Sequence, residues 1–514
     1  MYCSFCRTVY PRNARFCAHC GHTLALQFPA LSVPENAMEQ GSQDAEGPPE
    51  TSGQENGSEQ EKGKVIPFPV VLEEAPTTLL GAVDPLVKKF QPLEELQSPP
   101  SSTSQGSSSS GTDFLALDDL LTEEELKIRD LVRDFCSREV LPIINEYWEK
   151  EQFPFELLPK LAALGVAGGT IQGYDCPAMS AVATGLVTQE LSRGDSGLCT
   201  FFVNHTFLAM RSIALFGSEE QKQYWLPAMA RLEKVGGFVL TEANVSSSEA
   251  SALETRAHRV GNMYMLIGKK RWIINATYGD VFVVWAQDDN GKTGAFLVER
   301  NTPGFEARII AGKMAKRTLW CTDVTFNRVK IPLENRLPGV RSFQSAIRLL
   351  TGTRVIISWE ATGLALAAYE VALDYASQRY QFGKPLTSFQ LVQSRLATML
   401  ASVTNMQLMS LRLSQLQDTG KLTSARASLA KLSTARLARE VIADARDMLG
   451  ANGLLFENRI ARYHADIEAI VTYDGPDAIQ ALIVGQEITG QAAFAPPADK
   501  SREKKKPGEG RLIS

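Results

Sequence analysis

Residues 470–490 read IVTYDGPDAIQALIVGQEITG, and the reading of the chain turns on the triplet Asp474-Gly475-Pro476 inside them. Asp-Gly and Gly-Pro pairs are turn formers, so Asp474 could simply cap or turn the chain there. Around this point long helical patterns run from about residue 338 to 497, including 390–416 and 422–449.

Upstream, the signal over 236–337 changes to short alternating strands: GGFVLTEA, TRAHRV-GN-MYMLIG, KRWIIN, DVFVVWAQ-DDNG-KTGAFLVER and CTDVTFNRVKI. The GN and DNG breaks are hairpin chemistry, and the region reads as antiparallel. Before it, Thr122 followed three residues later by Glu125 is a capping-box pattern. Helical periodicity then holds to about Lys234. Helices, a β region and a helical bundle without βαβ alternation give an α+β order and argue against a Rossmann nucleotide fold.

At 514 residues the chain exceeds one ordinary domain, and 44% apolar residues suffice for a large core. A net charge of -5 points to neither nucleic acid nor an acidic membrane surface. No run of about eighteen uninterrupted apolar residues suggests a membrane span. The first residues carry cysteines instead of a basic start and apolar run, so no signal peptide is expected. Residues 25–112, rich in Ser, Pro, Gly, Glu and Gln, are expected to be a disordered linker. Its apolar islands at 65–72 and 79–90 read either as loose packing segments or as a docking motif. Residues 498–514 form a basic tail.

Residues 1–24 carry Cys3-x2-Cys6 and Cys17-x2-Cys20. Two such knuckles complete a tetrahedral four-thiolate shell, which suits one structural zinc in a small zinc ribbon. A redox CxxC would not come as two matched pairs. His19 and His22 could substitute as ligands, but the four-cysteine set is already complete. The other cysteines (Cys136, Cys176, Cys199, Cys321) are scattered, a usage that fits a reducing, cytoplasmic setting.

Residues 114–495 resemble, collinearly, the acyl-CoA dehydrogenases, and among them the glutaryl-CoA dehydrogenase-like members. The segments that carry the resemblance include ALGVAGGTIQGYDCPAMS (163–180), QELSRGDSG (189–197), FGSEEQKQYWLP (216–227), FVLTEAN (238–244), KRWIINATYGDVFVVWA (270–286), RYQFGKPL (379–386), ARDMLGANG (445–453) and TYDGPDAI (472–479). The resemblance implies an N-terminal helical domain (113–235), a middle β domain (236–337) and a C-terminal four-helix bundle (338–497), assembled as a homotetramer with FAD. The implied reaction takes an α proton with a carboxylate while the β hydrogen leaves as hydride to the flavin. It passes electrons to an electron-transfer flavoprotein or to oxygen.

By the same resemblance Asp474 is the base, standing where one large branch has Glu, and its backbone N–H is one donor to the thioester carbonyl. The other branch's base position is Thr353, before Arg354, and Glu360 lies two turns beyond it. Implied FAD contacts are Thr241, Ser247 (or Ser246), Trp272, Arg379, Phe382 and Gly450, with Arg379 and Phe382 reaching a neighbouring subunit's cofactor. Taken singly, Trp272 and Phe382 could equally be core packing, and Arg379 a surface ion pair. Departures accumulate: Ala243 for Pro, VSSSEAS for Gly-Ser-Asp, Ile274 for Thr, Ala451 for Gly and Pro476 for Thr. The Arg and Ser that hold a distal carboxylate become Cys199 and Val203, so glutarate is not the expected acyl group. His205 nearby reads as a core or surface histidine. Two functions follow, an FAD-dependent oxidoreductase acting on the CH–CH group of an acyl-CoA or a catalytically degenerate scaffold recruiting through its zinc ribbon.

Overall fold

The computed structural model describes residues 112–244 and 253–492. The zinc-ribbon ligands Cys3, Cys6, Cys17 and Cys20, the linker, Ser246, Ser247 and the basic tail lie outside the described residues.

The first helix, α1 (Glu123–Phe135), starts as its sequence requires: Glu125 N–H donates to Thr122 Oγ1 at 3.2 Å and Thr122 N–H to the Glu125 carboxylate at 3.0 Å. Then come α2 (Ile144–Lys150), α3 (Leu157–Ala163), α4 (Ala181–Gly194), α5 (Ser196–Val203), α6 (Arg211–Phe216) and α7 (Glu219–Ala230). Seven strands follow: β1 (Gly236–Val239), β2 (Arg256–Val260), β3 (Met263–Ile274), β4 (Val281–Asp288), β5 (Thr293–Glu299), β6 (Phe305–Ile309) and β7 (Cys321–Pro332). They pair in the order β1-β4-β2-β3-β7-β6, with β5 against β4. The GN and DNG breaks are the β2–β3 and β4–β5 hairpins.

The region departs from the expected set of antiparallel strands in three ways. β1 and then the start of β2 both pair parallel to β4 along one side of it, because β5 takes the other side over Val281–Gln287. MYMLIG and KRWIIN form one strand, since two irregularities absorb the break between them. β6 was not anticipated: FEARI has an intermediate-exposed-intermediate-exposed-exposed burial and little apolar signal.

The C-terminal part comprises α8 (Gln344–Gln378), a short hairpin of β8 (Tyr380–Gln381) and β9 (Lys384–Pro385), then α9 (Gln390–Asp418), α10 (Ser424–Met448), α11 (Ile460–Thr472) and α12 (Asp477–Thr489). From Gly352 to Tyr369 every residue of α8 is buried, so this helix is the axis around which α4, α9, α10 and α11 pack. Ser196–Phe216 and Gln344–Gln378 are long and apolar enough to cross a membrane, but 83% and 89% of their apolar windows are buried inside the protein. Both are core helices here.

Close approach of α8 to α4 depends on glycine. A Cβ on Gly363 would stand 2.0 Å from the Gln189 carbonyl oxygen, and that neighbour is backbone that cannot rotate away. Gly363→Ala should therefore cost at least about 1–3 kcal/mol of stability, read as a lower urea midpoint. An unchanged midpoint would contradict the packing described.

Candidate functional site

α11 ends at Thr472, and the chain turns through Asp474 (φ 50°) and Gly475 (φ 89°) before Pro476 opens α12. The expected Asp-Gly-Pro turn is present. Left-handed φ is unusual for a residue with a Cβ, and the surroundings hold it firmly. The buried Lys431 of α10 donates its Nζ to the carbonyls of Val471 (3.3 Å), Tyr473 (3.0 Å) and Gly475 (2.6 Å). Gln480, fully buried on α12, donates to the carbonyls of Asp474 and Gly475, both at 2.9 Å. These donors satisfy the carbonyls that the end of a helix leaves unpaired.

The loop's carbonyls are held, but its acid is left free. Asp474 is half-buried, and among the described residues its carboxylate has no hydrogen-bond partner and its backbone N–H no acceptor. A carboxylate that only capped the turn would bond to it. Burial raises the Asp474 pKa above its ordinary value against the opposing pull of Lys431 and Arg354, with Glu360 adding to the rise. Arg354 is buried against α10, with one guanidinium nitrogen at 3.0 Å from Ser424 Oγ and its Nε without a partner among the described residues. Burial lowers Lys431 to about 8, opposed by Asp474 and Asp477. The site is thus an unengaged carboxylate, poised to accept a proton, beside an N–H free to donate.

Glu360 does not serve as a second base. It is fully buried, and its carboxylate is bound to Lys316 (2.5 Å), Thr200 (2.7 Å) and the Tyr473 hydroxyl (2.6 Å). The hydroxyl of Thr353, at the other branch's base position, donates to the Leu349 carbonyl within its own helix at 3.2 Å.

The residues assigned to FAD fall into two groups. Arg271 N–H donates to the Thr241 carbonyl at 2.9 Å, which sets Thr241 beside Trp272. Trp272 sits in the second irregularity of β3 at φ 61° and is 50% exposed, so it is not core packing. The segment after β1 is clamped to β3: buried Lys270 donates to the Leu240 carbonyl and to Glu242, each at 2.8 Å. Glu242 also accepts from the N–H groups of Glu254 and Thr255 and from the Thr255 hydroxyl, fixing both edges of residues 245–252. Burial lowers Lys270 to about 8 against Glu242; on Glu242 burial is opposed by Lys270 and the bonds from Thr255 and Glu254, which together lower it.

Arg379 and Phe382 form the second group, at the β8–β9 hairpin. Phe382 is 93% exposed, and Arg379 is exposed with no ion pair among the described residues, so neither alternative reading of them holds. Gly450 (φ 58°) starts the turn whose Asn452 donates at 2.9 Å to the hydroxyl of Tyr375, on the last turn of α8 before the hairpin. An uncovered indole beside a threonine at the sheet, and an uncovered phenyl beside a free cation on a hairpin, fit a planar apolar ring system with an anionic tail. Ile274 is packed against the main core cluster and offers the site no hydrogen bond.

Cys199 and Val203 are buried in α5, and the Cys199 thiol is pushed far up by burial. The expectation that no cation remains there holds for α5 itself but not for its surroundings. Lys316, from the loop before β7, donates to Thr200, the neighbour of Cys199, and is already paired with Glu360. His205 is a core residue between the Met229 carbonyl and Gly236 N–H, both at 3.0 Å, and burial lowers it to about 4.

Sequence reasoning missed Lys316 and Lys431. Lys431 lies on the buried stripe of α10 with Ala427, Ala430, Thr434, Ala435 and Ala438, a periodicity that could have revealed it. Lys316, in AGKMAKR, carries no such signal.

Family profiles match three contiguous stretches: "Acyl-CoA dehydrogenase, N-terminal domain" over 122–233, "middle domain" over 237–329 and "C-terminal domain" over 342–489. An "Acyl-CoA dehydrogenase" of Bacillus subtilis is 31% identical over 376 residues, covering 72% of this chain and 99% of its own length. Two solved structures of glutaryl-CoA dehydrogenase from Mycobacterium smegmatis superpose with TM-scores of 0.73, at 39% and 34% identity. Each covers 75% of this chain and 100% of the other, and the second is in complex with FADH2. The chain belongs to the acyl-CoA dehydrogenase family.

Replacing Lys431 tests the electrostatics. In Lys431→Met the cation that favours ionised Asp474 is gone, so the carboxyl should titrate at higher pH than in the unaltered protein. NMR of carbon-labelled aspartate reads the direction, and an unchanged or lower midpoint would contradict the arrangement.

Proposed function

We propose that the protein is an FAD-dependent oxidoreductase acting on the CH–CH group of a monocarboxylic acyl-CoA thioester, with Asp474 as the base. The observation that carries this reading is the unengaged, half-buried Asp474 carboxylate beside its own free N–H, in a loop whose carbonyls are all held. Asp474 would take the α proton while its backbone N–H donates to the thioester carbonyl, where negative charge collects. FAD, when bound, supplies the acceptor for the β hydrogen. Thr241, Trp272 and Ser247 would hold it from one subunit, and Arg379, Phe382 and Gly450 from a neighbour. Tyr380, Phe382 and Leu391, all large and exposed, support a homo-oligomer, either a dimer or a tetramer built from dimers. An electron-transfer flavoprotein is the proposed acceptor.

Glutaryl-CoA is disfavoured because Cys199 and Val203 carry no charge and Glu360 already neutralises Lys316. Asp is one methylene shorter than Glu, a setback of roughly 1.5 Å, and misplacement on that scale costs on the order of a hundredfold. The non-catalytic scaffold reading draws on this setback together with Ile274 and Pro476.

Asp474→Asn should abolish turnover while keeping thioester affinity, because an amide cannot take the proton and the N–H remains. Asp474→Glu combined with Ile274→Thr should raise turnover by restoring reach and the lost hydroxyl. If a panel of straight-chain and branched acyl-CoAs gives no turnover with either the unaltered protein or the restored variant, the scaffold reading stands instead.

Residues 1–24 are proposed to bind one structural zinc through Cys3, Cys6, Cys17 and Cys20, in a cytoplasmic protein. Metal analysis should show one zinc per chain, lost in Cys17→Ser. Full zinc occupancy in that variant would refute the assignment.

A further inference from the structure

We propose that Lys316 and Glu360 are positioning residues for Asp474, acting through the hydroxyl of Tyr473. The inference rests on the reading of Asp474 as the base. Tyr473 directly precedes Asp474, and its hydroxyl donates to Glu360 at 2.6 Å and accepts from Lys316 Nζ at 2.8 Å. The Lys316 ammonium also lies 4.9 Å from the centre of the Tyr473 ring. Thr200 closes the set by donating to Glu360 at 2.7 Å. Lys316 is itself tethered, because its N–H donates to Asp466 on α11 at 2.6 Å.

Tyr473 is therefore gripped at both ends, its carbonyl by Lys431 and its phenol oxygen by the Lys316–Glu360 pair. With both ends fixed, the tyrosine cannot rotate or slide, and the point from which Asp474 leaves the chain is set. A fixed origin matters more for an aspartate than for a longer side chain, because a short carboxylate has little reach with which to correct an error. Stability alone does not account for the pair. Apolar side chains of similar volume commonly serve a core as well as a buried ion pair does, whereas a bonded, charged pair defines one geometry. Catalytic groups need placement to within about half an ångström, secured by the bonds of the residues behind them.

The test uses FAD-loaded protein and 3-thiabutyryl-CoA, whose β position is sulfur and carries no hydrogen to lose as hydride. Exchange of its α protons in heavy water is read by mass spectrometry, and its dissociation constant by titration. Tyr473→Phe and Glu360→Gln should each slow exchange by about tenfold or more, with the dissociation constant changed less than about threefold. The double variant should be no slower than the slower single one, because both remove the same bridge. Thermal melting checks that each variant is folded at the assay temperature. If Glu360→Gln is not, Tyr473→Phe decides alone, since it keeps the ring and removes only the hydroxyl.

Exchange at the unaltered rate in the folded variants would overturn the positioning role and leave Asp474 as base intact. A slowing matched by an equal loss of affinity, or additive losses in the double variant, would likewise overturn it. No exchange in the unaltered protein would overturn the base assignment, and this inference with it.

Discussion

One ammonium group joins the parts of this fold at the point where its chemistry is proposed to occur. Lys316 comes from the middle domain, Thr200 from the N-terminal helices, and Glu360 and Tyr473 from the C-terminal bundle. Breaking such a buried pair by removing one partner typically costs about 3–5 kcal/mol, so the three domains are held in register by a contact that tolerates little change. The same contact ends one residue short of Asp474. Domain packing and placement of the carboxylate are consequently not independent properties of this chain.

The rest of the site is organised by burial. Lys431, Gln480 and Arg354 enter the bundle core beside α8, and each finds backbone or serine oxygens there. Among the described residues the Asp474 carboxylate and its N–H are left unengaged in a loop whose carbonyls are held. At the sheet the buried Glu242–Lys270 pair plays the matching part, holding the segment after β1 that carries Thr241 against β3, which carries Trp272. Two buried ion pairs thus fix two working surfaces, one at the bundle and one at the sheet.

Much of this was legible in the chain. The Thr122 capping box, the two hairpin turns, the long helices and the order of helix, sheet and bundle depend on local spacing and turn chemistry, and the structure has them. Strand partners were less legible: the parallel pairing of β1 and β2 with β4 depends on where distant segments meet. Asp474, Trp272 and Phe382 could be singled out through collinear resemblance, but not their environment. That Glu360 is an ion-pair partner instead of a reserve base is decided by Lys316, 44 residues away in sequence. Neither residue's own neighbours announce it.

Ile274 and Pro476 have no hydroxyl to offer, while the turn that carries Asp474 is held by Lys431 and Gln480. Activity therefore depends on whether this geometry serves a bound flavin. The most direct measurement is the visible absorption spectrum of the purified protein before and after anaerobic addition of short-chain acyl-CoAs. The yellow bands of oxidised flavin, bleaching on addition of at least one thioester, are the expected result. A colourless protein that gains no flavin bands when FAD is supplied would contradict the account.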